Sequence, residues 1–189
     1  GVYDRNRPFH TTMSPSMDIL ISSNLERMLF ELSGGDDQLV RGYMDQLSRT
    51  GRYEIGAGMK EKLQEIFYGG FASEEDTSAA ITALYADGYL IDPHTAVAAK
   101  VLEDYRRETG DDAIAVFAST ASPYKFCDSV LSAIGEKPVS DSVERIAQLE
   151  AASGVKAPRR LAELKGKQPR FDGVTEKEKM EDIVLNFLR

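Results

Sequence analysis

Ala113-Ile114-Ala115-Val116-Phe117-Ala118-Ser119-Thr120-Ala121-Ser122-Pro123-Tyr124-Lys125-Phe126 is the stretch on which the fold turns. Its first six residues are apolar and include the β-formers Ile114, Val116 and Phe117, a run that predicts a strand covered on both faces. Ser122 followed by Pro123 offers an N-cap and a first helical position, so the chain is expected to pass from strand to helix here. Open α/β sheets bind ligands at the carboxyl ends of their strands, which makes the hydroxyls of Ser119 and Thr120 candidate ligand contacts. The same pair also serves as an ordinary cap and turn.

Outward from this stretch, most of the sequence has helical period. Leu25, Met28, Leu29 and Leu32 follow the i, i+3, i+4, i+7 rule, as do Val40, Tyr43, Met44 and Leu47. Thr77, Ala80, Ile81 and Leu84 repeat the pattern after Ser73, a cap residue. Asp92-Pro93 is a strong helix start, followed by the stripe Ala98, Val101, Leu102 and Tyr105 and by Gly110 as a stop. In the last third, Ser140 is the expected cap of a helix carrying Val143, Ile146 and Ala147, and Ala157-Pro158 opens a short helix. Thr175-Glu176-Lys177-Glu178 reads as a capping box before Met180, Ile183, Val184 and Phe187. Gly166 to Gly173 reads as a loop. Strand candidates are Phe9 to Met13, Tyr89 to Ile91 and Ile114 to Ala118. Three strands do not make a self-sufficient covered sheet, so the expected fold is α/β and helix-rich with an incomplete, largely parallel sheet.

The 189 residues are 42% hydrophobic, enough to bury a core of one or two domains. Thirty-one acidic against 23 basic side chains leave a net charge of −8, which argues against a nucleic-acid partner. No apolar run approaches the ~20 residues of a membrane helix, and the amino terminus lacks a signal peptide's apolar core. Gly1 to Arg7 reads like the middle of a domain. Cys127 is the lone cysteine and is expected to act as a small buried hydrophobe, which fits a reducing cytoplasm.

Few residues cluster by chemistry. His94 lies beside Asp92, but His10, the other histidine, is far away in sequence, and no Cys/His spacing suggests a metal site. A structural place in a helix's first turn is expected for His94. Lys156, Arg159, Arg160, Lys165, Lys167 and Arg170 read as a solvated basic face. Gly34-Gly35 and Gly69-Gly70 read as helix stops, since neither follows a strand and opens a helix as a phosphate cradle does. Asn24 and Arg27, three apart on one helix, point to one side and could hold an anionic substrate group; Arg27 in a surface ion pair fits the spacing equally.

Three segments carry a resemblance. Ser14-Pro15-Ser16-Met17-Asp18-Ile19-Leu20 runs into Ser22-Ser23-Asn24-Leu25-Glu26-Arg27; Gly88-Tyr89-Leu90-Ile91-Asp92-Pro93-His94-Thr95-Ala96-Val97 follows; Ser119-Thr120-Ala121-Ser122-Pro123-Tyr124-Lys125-Phe126 is the third. In this order they closely resemble threonine synthase, the pyridoxal-phosphate enzyme that converts O-phosphohomoserine and water to L-threonine and phosphate. The likeness runs from about Gly1 to Ile134, with the remainder fitting the family's tail.

The resemblance implies fold type II pyridoxal-phosphate architecture. Residues 1–134 would belong to the cofactor-binding large α/β domain, and 135–189 would be a helical extension packed on it. It places a hydroxyl contact to the cofactor's pyridine nitrogen on Thr120, with Ser119 adjacent. Met17-Asp18 and Asn24 to Arg27 would line or support the cleft, and Arg27 would hold the phosphate leaving group. The family's Schiff-base lysine and its Gly/Asn-rich phosphate loop have no counterpart here, since Lys125 does not match that position. The expected chain is thus the carboxyl-terminal part of the enzyme, inactive alone and with no catalytic residue of its own, its partners being the amino-terminal remainder and a small-molecule substrate. Competing readings are a related pyridoxal-phosphate lyase for another phosphorylated amino acid, and a helical interaction module without a cofactor.

Overall fold

The computed structural model describes residues 1–168, 170–171 and 173–188. Strand β1 (Val2–Asp4) is followed by a 3-10 turn at Pro15–Met17 and by helix α1 (Leu25–Leu32). Gly34 and Gly35, with φ of 80° and 90°, return bonds to Glu31 O and Phe30 O, so the first glycine pair does stop a helix. Asp36 caps α2 (Asp37–Thr50) by accepting from Leu39 N at 2.9 Å, and Gly51 ends it in the left-handed region at φ 75°. Strand β2 (Arg52–Glu54) then pairs antiparallel with β1, Tyr3 opposite Tyr53, before α3 (Ala57–Ile66). This half closes on Leu29, Val40, Tyr53 and Ile55, over which the rings of Tyr3 and Tyr43 stack on Tyr53 at 4.9 and 5.4 Å.

The second half is helical. A capping box between Ser73 and Asp76 opens α4 (Glu74–Ala86), and Asp92 with Pro93 opens α5 (Pro93–Thr109), which Gly110 ends. A 3-10 turn at Pro123–Lys125, capped by Ser122 as expected, leads into α6 (Cys127–Ala133). Helices α7 (Glu144–Ser153) and α8 (Arg159–Ala162) follow, and α9 (Met180–Phe187) comes last. Ile81, Ala96, Val130, Leu131 and Leu149 are fully buried between α4, α5, α6 and α7. Burying side chains of this kind stabilises by about 1.5–3 kcal/mol each, so this is the larger of the two cores energetically. Helices α6 and α7, on either side of residue 134, both contribute to it.

The strands differ from expectation. Ala113 to Ala118 forms no ladder, and Ile114 and Val116 are 97% and 92% exposed. Phe9 to Met13 and Tyr89 to Ile91 are likewise unpaired. The sheet among the described residues is the two-stranded antiparallel ribbon of β1 and β2, not a largely parallel one. Apolar β-formers supply only half of a strand; its backbone donors and acceptors need a neighbour, and none lies beside these segments.

Smaller corrections follow the same logic. Gly69-Gly70 does not stop a helix, since α3 already ends at Ile66; a Cβ on Gly70 would lie 2.9 Å from Val101, so the glycine permits close approach to α5. Thr175 to Glu178 makes no side-chain cap; a 3-10 turn at Lys177–Lys179 precedes α9 instead. Asp141, not Ser140, caps α7, accepting from Val143 N and Glu144 N. Residues 169 and 172 of the expected loop lie outside the described residues, and no described helix is long and apolar enough to cross a membrane.

Candidate functional site

The amino terminus of α5 gathers a buried set of side-chain hydrogen bonds. Asp92 is fully buried, and as an N-cap it accepts at Oδ1 from His94 N at 2.9 Å. His94 Nδ1 lies 2.9 Å from the same oxygen, while His94 Nε2 accepts from Ser16 N at 3.1 Å. Since Nε2 is an acceptor, the ring proton sits on Nδ1 and is donated to Asp92. Asp92 Oδ2 accepts from Thr95 Oγ1, which in turn lies 2.9 Å from Ser119 Oγ. The Phe126 ring packs against His94, centroids 4.8 Å apart.

These contacts join residues 14–18, 92–95 and 119–126, segments far apart along the chain. Asp18 closes the first of them: Thr12 Oγ1 and Thr12 N donate to its two oxygens at 2.6 and 2.8 Å, which holds the Asp18 carboxyl below the usual carboxylate range. Beside it opens a cleft of about 610 Å³ whose lining includes Arg7, His10, Thr12, Asp18 and Phe71. Arg7 donates to the carbonyls of Ile19 and Leu20 there.

Ser119 and Thr120 stand at the end of the exposed 113–118 segment. Ser119 is tied to Thr95, whereas the exposed Thr120 hydroxyl makes no hydrogen bond among the described residues. Asn24 and Arg27 do lie together, Arg27 Nη2 donating to Asn24 Oδ1, but on α1 in the other half. Arg27 lines a cleft of about 670 Å³ with Glu26, Phe30, Arg41 and Met44, none of which borders the cleft beside Asp18. The surface ion pair considered for Arg27 is not among the described ones. His94 has the structural place expected of it, and no described group of His, Cys, Asp and Glu could hold a metal. Cys127 is buried with its thiol pushed up by that burial, its Sγ bonded to Tyr124 O. Arg159 and Arg160 pair with Glu163 on an exposed face, as expected of the basic cluster.

Thr95 and Ser16 were not legible as site residues. Asp92 could be read as a cap from Asp-Pro alone, but Thr95 acquires its partner Ser119 from 24 residues away, and Ser16 contributes only a backbone N–H.

A family model described as threonine synthase, C-terminal, matches residues 95–184. Threonine synthase-like 1 of Homo sapiens is 37% identical over 144 residues, 75% of this chain and 19% of that protein. Threonine synthase of Saccharomyces cerevisiae is 34% identical over 149 residues, 71% of this chain and 29% of the relative. Among solved structures, yeast threonine synthase matches with a TM-score of 0.80 and 29% identity over 100% of this chain and 38% of its own. The PLP-bound threonine synthase from Brucella melitensis matches with a TM-score of 0.62 and 36% identity, covering 82% of this chain and 32% of its own.

The chain therefore spans between about a fifth and two fifths of the proteins it matches. Over that span it is similar to the carboxyl-terminal part of threonine synthases.

Proposed function

We propose that this chain is the carboxyl-terminal part of a threonine synthase that uses pyridoxal phosphate to convert O-phosphohomoserine and water to L-threonine and phosphate. The carrying observation is the free Thr120 hydroxyl at the end of an unpartnered segment, beside the junction of three distant motifs. Residues 1–134 act as part of the cofactor-binding large domain, in fold type II architecture, and 135–189 as its helical extension. The 113–118 segment takes its ladder partners from the amino-terminal remainder, as do the site's lysine and phosphate loop.

The residues present fit the cofactor. A pyridine nitrogen needs one donor, and Thr120 offers a hydroxyl that nothing else among the described residues occupies. An uncharged donor can bond the nitrogen without surrendering its proton, which moderates the ring's electron-withdrawing power. When bound, pyridoxal phosphate supplies the electron sink for the reaction. Arg27, with Asn24 holding one guanidinium nitrogen, keeps N–H groups for the substrate phosphate, which it would approach from the cleft along α1 and not from the one beside Asp18.

Phosphate release from O-phosphohomoserine by the complete enzyme tests the assignment. Arg27→Ala is expected to raise KM by about tenfold or more, the loss of one charge-assisted contact. Near-normal kinetics overturn the role given to Arg27. The second reading, a related lyase for another phosphorylated amino acid, keeps the role of Thr120 and alters the substrate pocket. Turnover of a different phosphorylated amino acid in preference to O-phosphohomoserine would establish it.

A further inference from the structure

We propose that Asp92 and Thr95 are positioning residues that commit the Ser119 hydroxyl proton to Thr95, so that of the two adjacent hydroxyls Thr120 alone is left to donate to the cofactor ring. This deepens the proposed function and rests on its assignment of Thr120.

The inference comes from counting protons. A hydroxyl has one proton and two lone pairs, and a carboxylate has only lone pairs. Asp92 receives three donors: His94 N and His94 Nδ1 at one oxygen and Thr95 Oγ1 at the other. The proton on His94 Nδ1 is assured because Nε2 already accepts from Ser16 N. Thr95 has thus spent its one proton on Asp92. Its oxygen nevertheless lies 2.9 Å from Ser119 Oγ, and two oxygens at that distance need a proton between them, so Ser119 is the donor. The order Ser119 to Thr95 to Asp92 leaves Ser119 with lone pairs only. Thr120, adjacent in sequence and without a partner among the described residues, keeps its proton.

The relay also anchors a segment with little else to hold it. Residues 113–118 have no ladder; Arg106 Nη2 donates to Ala113 O at 2.9 Å at one end, and Thr95 takes Ser119 at the other. Both ties come from α5, which is packed through Ala96 into the larger core. Asp92, wholly buried and capping that helix, is the fixed point from which the order of donors runs. Neutral hydrogen bonds chained to a buried anion polarise one another, so Ser119 is held more firmly than an isolated hydroxyl pair would hold it.

The complete enzyme carries the test, with two readouts independent of turnover. One is the dissociation constant of pyridoxal phosphate from the apoenzyme by fluorescence titration, and the other is hydrogen exchange at the amides of Ser119 to Ala121 without cofactor. Thr95→Val and Ser119→Ala are each expected to weaken cofactor binding about fivefold to tenfold and to speed exchange, with the double variant no worse than either single one. Thr95→Ser, which keeps the hydroxyl, is expected to stay within about twofold of the parent. Ser119→Ala changes an exposed position and reads the same contact should Thr95→Val fail to fold. Multiplying losses in the double variant, failure of Thr95→Ser to restore binding, or unchanged exchange in both single variants overturns the relay. Thr120→Val separates the two claims. Parent-like cofactor binding in that variant overturns the ring-nitrogen assignment itself, whereas weakened binding there alongside parent-like Thr95→Val overturns the relay alone.

Discussion

Tyr53 shows how a single side chain can be well packed and still imperfect. It is 1% exposed between two stacked rings, yet its hydroxyl has no hydrogen-bond partner among the described residues, and its pKa is pushed up to about 12 by burial, with Tyr3, Glu26 and Tyr43 adding to it. Removing an unsatisfied buried hydroxyl while keeping the ring stabilises, so Tyr53→Phe is expected to gain about 1 kcal/mol in denaturant unfolding. A loss of stability in that variant would mean that the hydroxyl has a partner in solution. Asp18 is the opposite case, a carboxylate fully engaged by Thr12. Its pKa is lowered in the folded state, so its stabilising effect is present above the ordinary value of 3.8 and is lost as pH falls below it. Asp18→Asn should therefore flatten the fall of the thermal midpoint in that acid range; an unchanged slope would remove Asp18 from the acid response.

Among the elements, α4 and α5 set the geometry on which the site depends. The capping box at Ser73, the Asp92 cap and the Gly110 stop leave little freedom in where these helices begin and end. Their close packing reaches back to Gly70, where a Cβ would meet Val101. Gly70→Ala is expected to cost about 1–3 kcal/mol by overpacking, measured by unfolding of the complete enzyme, because the short Val101 side chain has no conformation that withdraws it. Ile81→Ala, in the fully buried core, should cost about 2–5 kcal/mol. The stripes of α1, α2, α4 and α5 were readable because a helix satisfies its own backbone and needs only an apolar face. The strands were not. Arg52-Tyr53-Glu54 has no alternating run long enough to announce β2, and it exists because Val2 to Asp4 lies alongside. Ile114 to Ala118 had the composition of a strand and no neighbour.

At the scale of the molecule, two cores are built side by side, one beneath the β1 and β2 ribbon and one among α4 to α7. Around them runs uncovered apolar surface, notably Ile114, Val116 and Phe117 and the Ile183, Val184 and Phe187 side of α9. Apolar patches and unpaired backbone of this sort drive association, so the chain expressed alone is expected to self-associate in sedimentation experiments. Ile114→Lys with Val116→Lys should reduce that association; a monomeric parent chain would count against it.

The sequence by itself determined the helices other than α3, the caps that open α4 and α5, the structural place of His94 and, through three ordered motifs, the resemblance to threonine synthase. Those features depend on residues within a few positions of one another or on recognisable words. Only the tertiary structure decided that Thr95 meets Ser119, that Ser16 fixes the proton on His94, and that Ala113 to Ala118 stands open. Each of these depends on which segments distant along the chain come together, and no local pattern of apolar and polar residues encodes that.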